Sequence, residues 1–308
     1  MLIGGRSIRP PKSGHARNRH ADPLPQYLVR CGIGRYYMRK QTSRTTPVIS
    51  GAMKTMRTPR NILITGASSG IGEALARAHA ADNVFLALTG RDPARLAGVA
   101  QLCRLRGADV AAAARDVTDA GELASWMLHL DRAQPFDLVI ANAGISAGTG
   151  LGEETAEQAR AIHAINIGGV INTVSPLIGP MTRRGRGQIA LMSSLAGFRG
   201  IPGAPAYCAS KAFVRVWGES LRADLAPKGV RVSVICPGFV ESRMTATNDF
   251  YMPMLMPADR AARIILRGLA KDRARIAFPW PMYALTRLFA ALPSRVIDPL
   301  LARAPRKI

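Results

Sequence analysis

Tyr207 and Lys211 stand four positions apart in AYCASKAFVR (206–215), with Cys208, Ala209 and Ser210 between them. On a helix this spacing brings a phenol and an ammonium onto one face, one turn apart. A phenol left to itself titrates at about 10, too high for efficient proton exchange near neutrality, and a nearby ammonium favours its anion. The pair therefore has the makings of a general acid–base device, behind small residues that leave both heads uncovered. Tyr and Lys also meet on ordinary helices, so the surrounding elements decide what they are for. A second candidate is TGASSGIG (65–72), whose glycines at 66, 70 and 72 follow an apolar run and open the helical pattern GEALARAHA. Gly allows a tight turn and close backbone approach, and a helix N-terminus offers free N–H groups and a positive dipole end to a pyrophosphate. Such composition makes ordinary strand-to-helix turns as well.

Six short apolar runs supply the frame: NILIT (61–65), VFLALT (84–89), ADVAAAA (108–114), DLVIA (137–141), QIALMS (188–193) and VRVSVIC (230–236). Amphipathic stretches separate them, which predicts strands buried on both faces and joined by helical crossovers. The expected fold class is α/β, a doubly wound parallel sheet of the Rossmann type with six to seven strands and helices on both faces. Ligands of such sheets bind outside the carboxyl ends of the strands, and the glycine loop falls at the first of those ends. There is no internal repeat and no unbroken apolar run long enough to span a membrane.

With 308 residues, 48% apolar and 20% charged, the chain reads as soluble and globular. Cys31, Cys103, Cys208 and Cys236 lie far apart with no metal-like or disulfide-framework spacing. A reducing, cytoplasmic location and no metal are expected. The net charge of +22 is uneven. Residues 1–60 hold 13 Lys/Arg and one acid, a net +12, leaving 42 − 13 = 29 bases and 20 − 1 = 19 acids, or +10, for the rest. Residues 1–58 carry Pro, Gly and Arg throughout without a sustained apolar period, so they are expected to form a disordered basic extension. They lack the apolar run of a secretory signal. The extension reads as sequence upstream of a start near Met53, as a dispensable tail, or as a targeting or polyanion-binding arm, and a chain beginning at Met53 is expected to fold and turn over alike. Residues 59–280 are expected to form the Rossmann-type domain and 281–308 an apolar helical extension.

TGASSGIG, DVTD (116–119), NAG (142–144), Asn166 in AINIGG, SSLAG (193–197), YCASK (207–211) and CPGFV (236–240) occur in the order and rough spacing of the short-chain dehydrogenase/reductase family. The chain resembles its compact single-domain subclass over about residues 61–245, more weakly to about 280. The resemblance implies an oxidoreductase that interconverts a carbonyl and an alcohol. Tyr207 would be the general acid of reduction, and Lys211 would both favour its anion and hydrogen-bond the nicotinamide ribose. Ser194, 207 − 194 = 13 residues before the Tyr, would orient the carbonyl, with Ser193 as the alternative serine. Asn166 would hold a water that completes a proton relay. Gly66, Ser68, Ser69, Gly70, Ile71 and Gly72 would cradle the dinucleotide, Asp116 and Val117 would border its adenine, and Asn142, Ala143 and Gly144 would line it. Pro237, Gly238, Val240 and Ser242 would touch the nicotinamide end.

At the end of the second strand, Gly90 takes the position where NAD enzymes keep an acid, and Arg91 follows it. NADP(H) is therefore favoured, with NAD(H) as the alternative through Asp92. Ala141 and Ser242 depart from the commonest family pattern, an Asn and a Thr respectively. The Met- and aromatic-rich MTATNDFYMPMLMP (244–257) suits a lid over an apolar ligand or a packed loop. After it come an amphipathic helix, a short seventh strand and an apolar helix carrying Arg287 and Arg295, broken at Pro293. That last helix suits a dimer contact, a pocket wall or a peripheral membrane contact. A homodimer or homotetramer is expected, with a small carbonyl or alcohol as substrate and no specific nucleic-acid partner. The competing reading is a catalytically idle NADP(H)-binding protein whose basic ends contact nucleic acid or lipid.

Overall fold

The computed structural model describes residues 58–146, 153–248 and 250–302, all within the compact unit Lys54–Ile308. The expectation of a disordered extension over 1–58 lies, Thr58 apart, outside the described residues. Seven strands, β1 (Asn61–Thr65), β2 (Phe85–Gly90), β3 (Asp109–Ala114), β4 (Leu138–Ala141), β5 (Gly187–Met192), β6 (Val230–Pro237) and β7 (Arg275–Phe278), form one sheet in the order β3-β2-β1-β4-β5-β6-β7. Every pairing in it is parallel. This is the doubly wound sheet expected, completed by the short seventh strand.

Alternation along each strand divides the core in two. Ile62 and Ile64 of β1 pack with α1 (Gly70–His79), α2 (Pro93–Arg104) and α8 (Ala258–Ala270) on one face. Leu63 packs with α3 (Ala120–Ala133), α5 (Gly169–Arg184) and α6 (Pro205–Leu225) on the other. The central strands are buried end to end, but β3 is not: Asp109, Ala112 and Ala114 are exposed or half-exposed. An edge strand has a neighbour on one side only, so a run read as buried on both faces is half solvated there.

The helical stretch 155–184 is divided. The helix α4 (Ala156–His163) opens on a Thr155/Gln158 capping box and passes through a wide π turn, Ala164–Gly168, into α5. Taken together, Ala156–Arg184 is long and apolar enough to cross a membrane by length and composition. Its stripe Val170, Val174, Leu177 and Met181 is nevertheless fully used in the core against the sheet, so it serves as a core helix. Beyond the sheet lie α7 (Arg243–Ala246), α9 (Trp280–Ala291) and α10 (Ser294–Leu301), with Pro293 between the last two.

Candidate active site

The strand order reverses at β1, whose neighbours are β2 and β4, and a crevice opens where crossovers depart in opposite directions. There the glycine loop turns from β1 into α1. Gly66 and Gly70 adopt left-handed φ of +67° and +58°, and a Cβ at Gly72 would sit 2.1 Å from the Gly66 carbonyl oxygen. No side chain caps α1 at Ser69, which leaves first-turn N–H groups for an anion. Ser68 lies against Gly90 at the end of β2, where a Cβ would meet its hydroxyl at 2.9 Å. The loop is thus a backbone cradle of the size and polarity that a dinucleotide pyrophosphate fits.

Asn142 pins the loop from β4. Its Nδ2 donates to the carbonyls of Thr65 (3.0 Å) and Gly66 (3.1 Å), while the Thr65 hydroxyl accepts from the N–H groups of Asn142 and Ala143. Gly144 then brings the backbone close to the acid–base residues: a Cβ there would lie 3.1 Å from Asn166 Oδ1 and 3.3 Å from Lys211 Nζ.

Asn166 sits fully buried in the π turn. Its amide accepts from the Ile145 N–H (2.8 Å) and donates to the Ile145 carbonyl (2.9 Å) and to Ser210 Oγ (3.0 Å). The side chain is therefore spent on holding the chain after β4 to α6. Wide turns of this kind commonly re-aim a functional side chain, and here the turn aims an amide inward. Ser210 in turn donates to the Tyr207 carbonyl at 2.7 Å.

On α6, Tyr207 is half-buried and Lys211 buried, with the Lys211 ammonium 5.7 Å from the Tyr207 ring centroid. Ser194, at the end of β5, is close enough to the phenol to oppose the rise of its pKa, while its Oγ accepts from the Ala196 N–H at 3.1 Å and donates to the Pro237 carbonyl at 3.4 Å. Ser193 faces away, donating to the Lys211 carbonyl at 2.7 Å. Of the two serines, Ser194 is the one that meets the phenol. Lys211 donates to the Met192 carbonyl at 2.9 Å. Burial lowers its pKa to about 8, a nearby Cys236 opposing. The phenol does not follow the expected direction: burial raises its pKa, the Ser194 hydrogen bond opposes, and Cys208 adds to the rise. Desolvation of the anion is the largest cause of the shift, and the Lys211 ammonium is given to a backbone carbonyl.

The dinucleotide's adenosine side shows how adjacent residues divide their work. Asp92 caps α2, accepting from the Arg95 N–H at 2.9 Å and pairing with the Arg95 guanidinium at 2.7 Å. Arg91, just before it, is exposed. Asp116 accepts from the Thr118 N–H and hydroxyl, and these bonds, with Arg91 nearby, hold its carboxyl below the usual range despite some burial. Val117 is buried against Gly169. Past β6, Gly238 lies against Met282 and Pro279, Val240 is bridged to Met256, and the Ser242 hydroxyl caps α7 by accepting from the Thr245 N–H. Ile71 is half-buried on α1, packed against the first core half. Two partners were not read from the sequence. Glu154 accepts from the Ala206 N–H (3.0 Å) at the otherwise uncapped start of α6, and Ser210 bridges Asn166 to that helix. Glu154 lies 52 residues from its partner, and no local pattern announces such a cap; Ser210 lay in plain view inside YCASK.

The family description "short chain dehydrogenase" matches residues 60–250. An uncharacterized oxidoreductase of Myxococcus xanthus is 40% identical over 240 residues, 78% of this chain and 95% of that protein. Among solved structures, a short-chain dehydrogenase from Sphingobium yanoikuyae in complex with NADPH aligns with a TM-score of 0.68 at 26% identity, covering 80% of this chain and 96% of the other. One from Burkholderia phymatum in complex with NAD aligns at 0.67 and 26% identity over the same shares.

Proposed function

The chain belongs to the short-chain dehydrogenase/reductase family, oxidoreductases acting on alcohol or ketone groups with nicotinamide cofactors, and from that premise we propose an NADP(H)-dependent reductase of a small or moderately apolar carbonyl compound. The supporting observation is the convergence of the Ser194 hydroxyl and the Lys211 ammonium on Tyr207 at the carboxyl end of β5. When bound, the dinucleotide would supply hydride to the carbonyl carbon. Ser194 donates to the carbonyl oxygen and orients it, and Tyr207 gives that oxygen its proton. Burial alone makes the phenol a weaker donor, so donation depends on stabilising the phenolate as it forms. Lys211, mostly charged at neutrality with a pKa of about 8, stabilises the phenolate left behind. The proton returns through water between Lys211 and Asn166, held at the Asn166 main chain, since both hydrogens of its side-chain amide are given to Ile145 and Ser210.

The preference for NADP(H) rests on Arg91, free of the capping duty that occupies Asp92, and able to pair with a 2′-phosphate. Gly66 to Gly72, Asp116, Val117 and Asn142 to Gly144 hold the rest of the dinucleotide, with Pro237, Gly238 and Val240 toward its nicotinamide. Ser242 contributes through its main chain, its hydroxyl being used in the cap. The enzyme works in the cytoplasm as a homo-oligomer joined through α6, where Phe213 and Val216 are exposed.

A panel of aldehydes, ketones and ketoacyl compounds, read by NADPH consumption, tests this reading. The Tyr207→Phe variant should bind NADPH nearly as before while turnover falls by orders of magnitude. Unchanged turnover in that variant overturns the mechanism.

A further inference from the structure

Seven of the twelve large apolar side chains exposed among the described residues fall between Tyr251 and Val296. Six of the seven, all but Val296 on α10, group on two features that meet at the carboxyl end of β6. The loop after α7 is rooted there by Phe250 on Phe239, ring centroids 6.0 Å apart, and presents Tyr251, Met254 and Leu255 at 83%, 50% and 40% exposure. Met254 is held at φ +56°, a conformation that L side chains rarely adopt and that persists where the surroundings impose it. The helix α9 is rooted on the other side of the same turn, by Met282 against Gly238 and Tyr283 edge-on to Phe198. None of its residues is buried, although it is the most apolar of the surface helices. Trp280, Leu285 and Leu288 stand 73%, 49% and 56% exposed.

Charge says what such a face meets. Residues 280–302 hold two bases, Arg287 and Arg295, both exposed, and one acid, Asp298. That acid is already paired with Arg199 at 2.7 Å. The six residues that follow add Arg303, Arg306 and Lys307 and no acid. Exposed Trp and Leu flanked by unopposed arginines match the interface of an anionic bilayer, where rings and aliphatic chains enter the headgroup boundary and guanidinium groups stay at the phosphates. A second copy seated on this face would bring Arg287 and Arg295 toward their own counterparts, with Asp298 already paired to Arg199.

We propose that the 251–255 loop and α9 form a platform that seats the enzyme on an anionic lipid surface, with the carboxyl end of β6 turned toward the lipid. The inference is independent of the substrate and cofactor assigned above. The test is cosedimentation of the full chain with vesicles of phosphatidylcholine alone or mixed with phosphatidylglycerol, following Trp emission. Binding is expected to the mixed vesicles, weakened by salt, with a blue shift of emission. The Leu285→Ser/Leu288→Ser variant should bind them at least tenfold more weakly while keeping its melting temperature and NADPH affinity. No binding to mixed vesicles overturns the proposal. Equal binding by the variant also overturns it, since the basic head would then be the anchor. So does a variant that changes only oligomeric mass, because the face would then be a subunit contact.

Discussion

Lys211 is buried and donates to the Met192 carbonyl. An unfolded lysine holds its proton to about 10.4, whereas the folded one releases it near 8. Between those values the unfolded chain binds more protons, so this group makes stability rise with pH from about 8 to 10 and adds no slope below. Lys211→Met should remove that rise while abolishing turnover, and should melt no lower than the parent at pH 7. Melting curves of the two proteins that stay parallel from pH 7 to 10 would contradict the burial of the charge. Arg91→Ala should weaken NADPH by about 1–3 kcal/mol, the value of a charge-assisted hydrogen bond, and leave NADH unchanged by titration. An unaltered ratio would move the preference to another residue. Arg91 and Asp92 were both legible in TGRDPARL, but only cap geometry tells them apart. An Asp before a Pro at the first helical position is committed to the helix start.

The catalytic helix is positioned by contacts at backbone distance. A Cβ at Gly197, in the turn after Ser194, would lie 2.7 Å from both the carbonyl carbon and oxygen of Lys211. Gly197→Ala must therefore push the Ser194 turn away from α6. It should cost about 1–3 kcal/mol by urea denaturation, as overpacking does, and lower kcat more than NADPH affinity. A variant of parental stability and kcat would show that the turn can yield. This contact was hidden in the sequence, where SSLAG shows a glycine but not what it touches. The strands, by contrast, could be read to within one residue, because two-sided burial demands unbroken Val, Ile and Leu. The exceptions are physical. β3 is an edge, and the π turn at Ala164–Gly168 leaves the apolar period of AIHAINIGGV undisturbed. Of the candidate site, residue identities were legible. The direction of the Tyr207 shift was not, since it depends on how far the fold desolvates the phenol.

At the scale of the assembly, exposed Phe213 and Val216 on α6 predict that Phe213→Glu/Val216→Glu sediments as a monomer at micromolar concentration while the parent sediments as a dimer or larger. Equal masses would place the interface elsewhere. The sheet order carries one more consequence. Each strand lies beside its predecessor in the chain except at a single seam, β1 against β4. The N–H groups of Arg60 and Asn61 there reach Asp137, 77 and 76 residues on, and Asn142 reaches Thr65. Emerging from the ribosome, the first three strands can assemble on their own, but β1 must wait with an open, apolar flank until β4 has been synthesised. The closing loop is long and its cost comes before its reward. Nascent chains stalled between residues 115 and 137 should thus be the ones that chaperones hold and that aggregate when chaperones are scarce. The seam that makes the dinucleotide crevice is also the one whose first strand waits longest for its partner, and that wait is the moment of greatest risk in the life of each molecule.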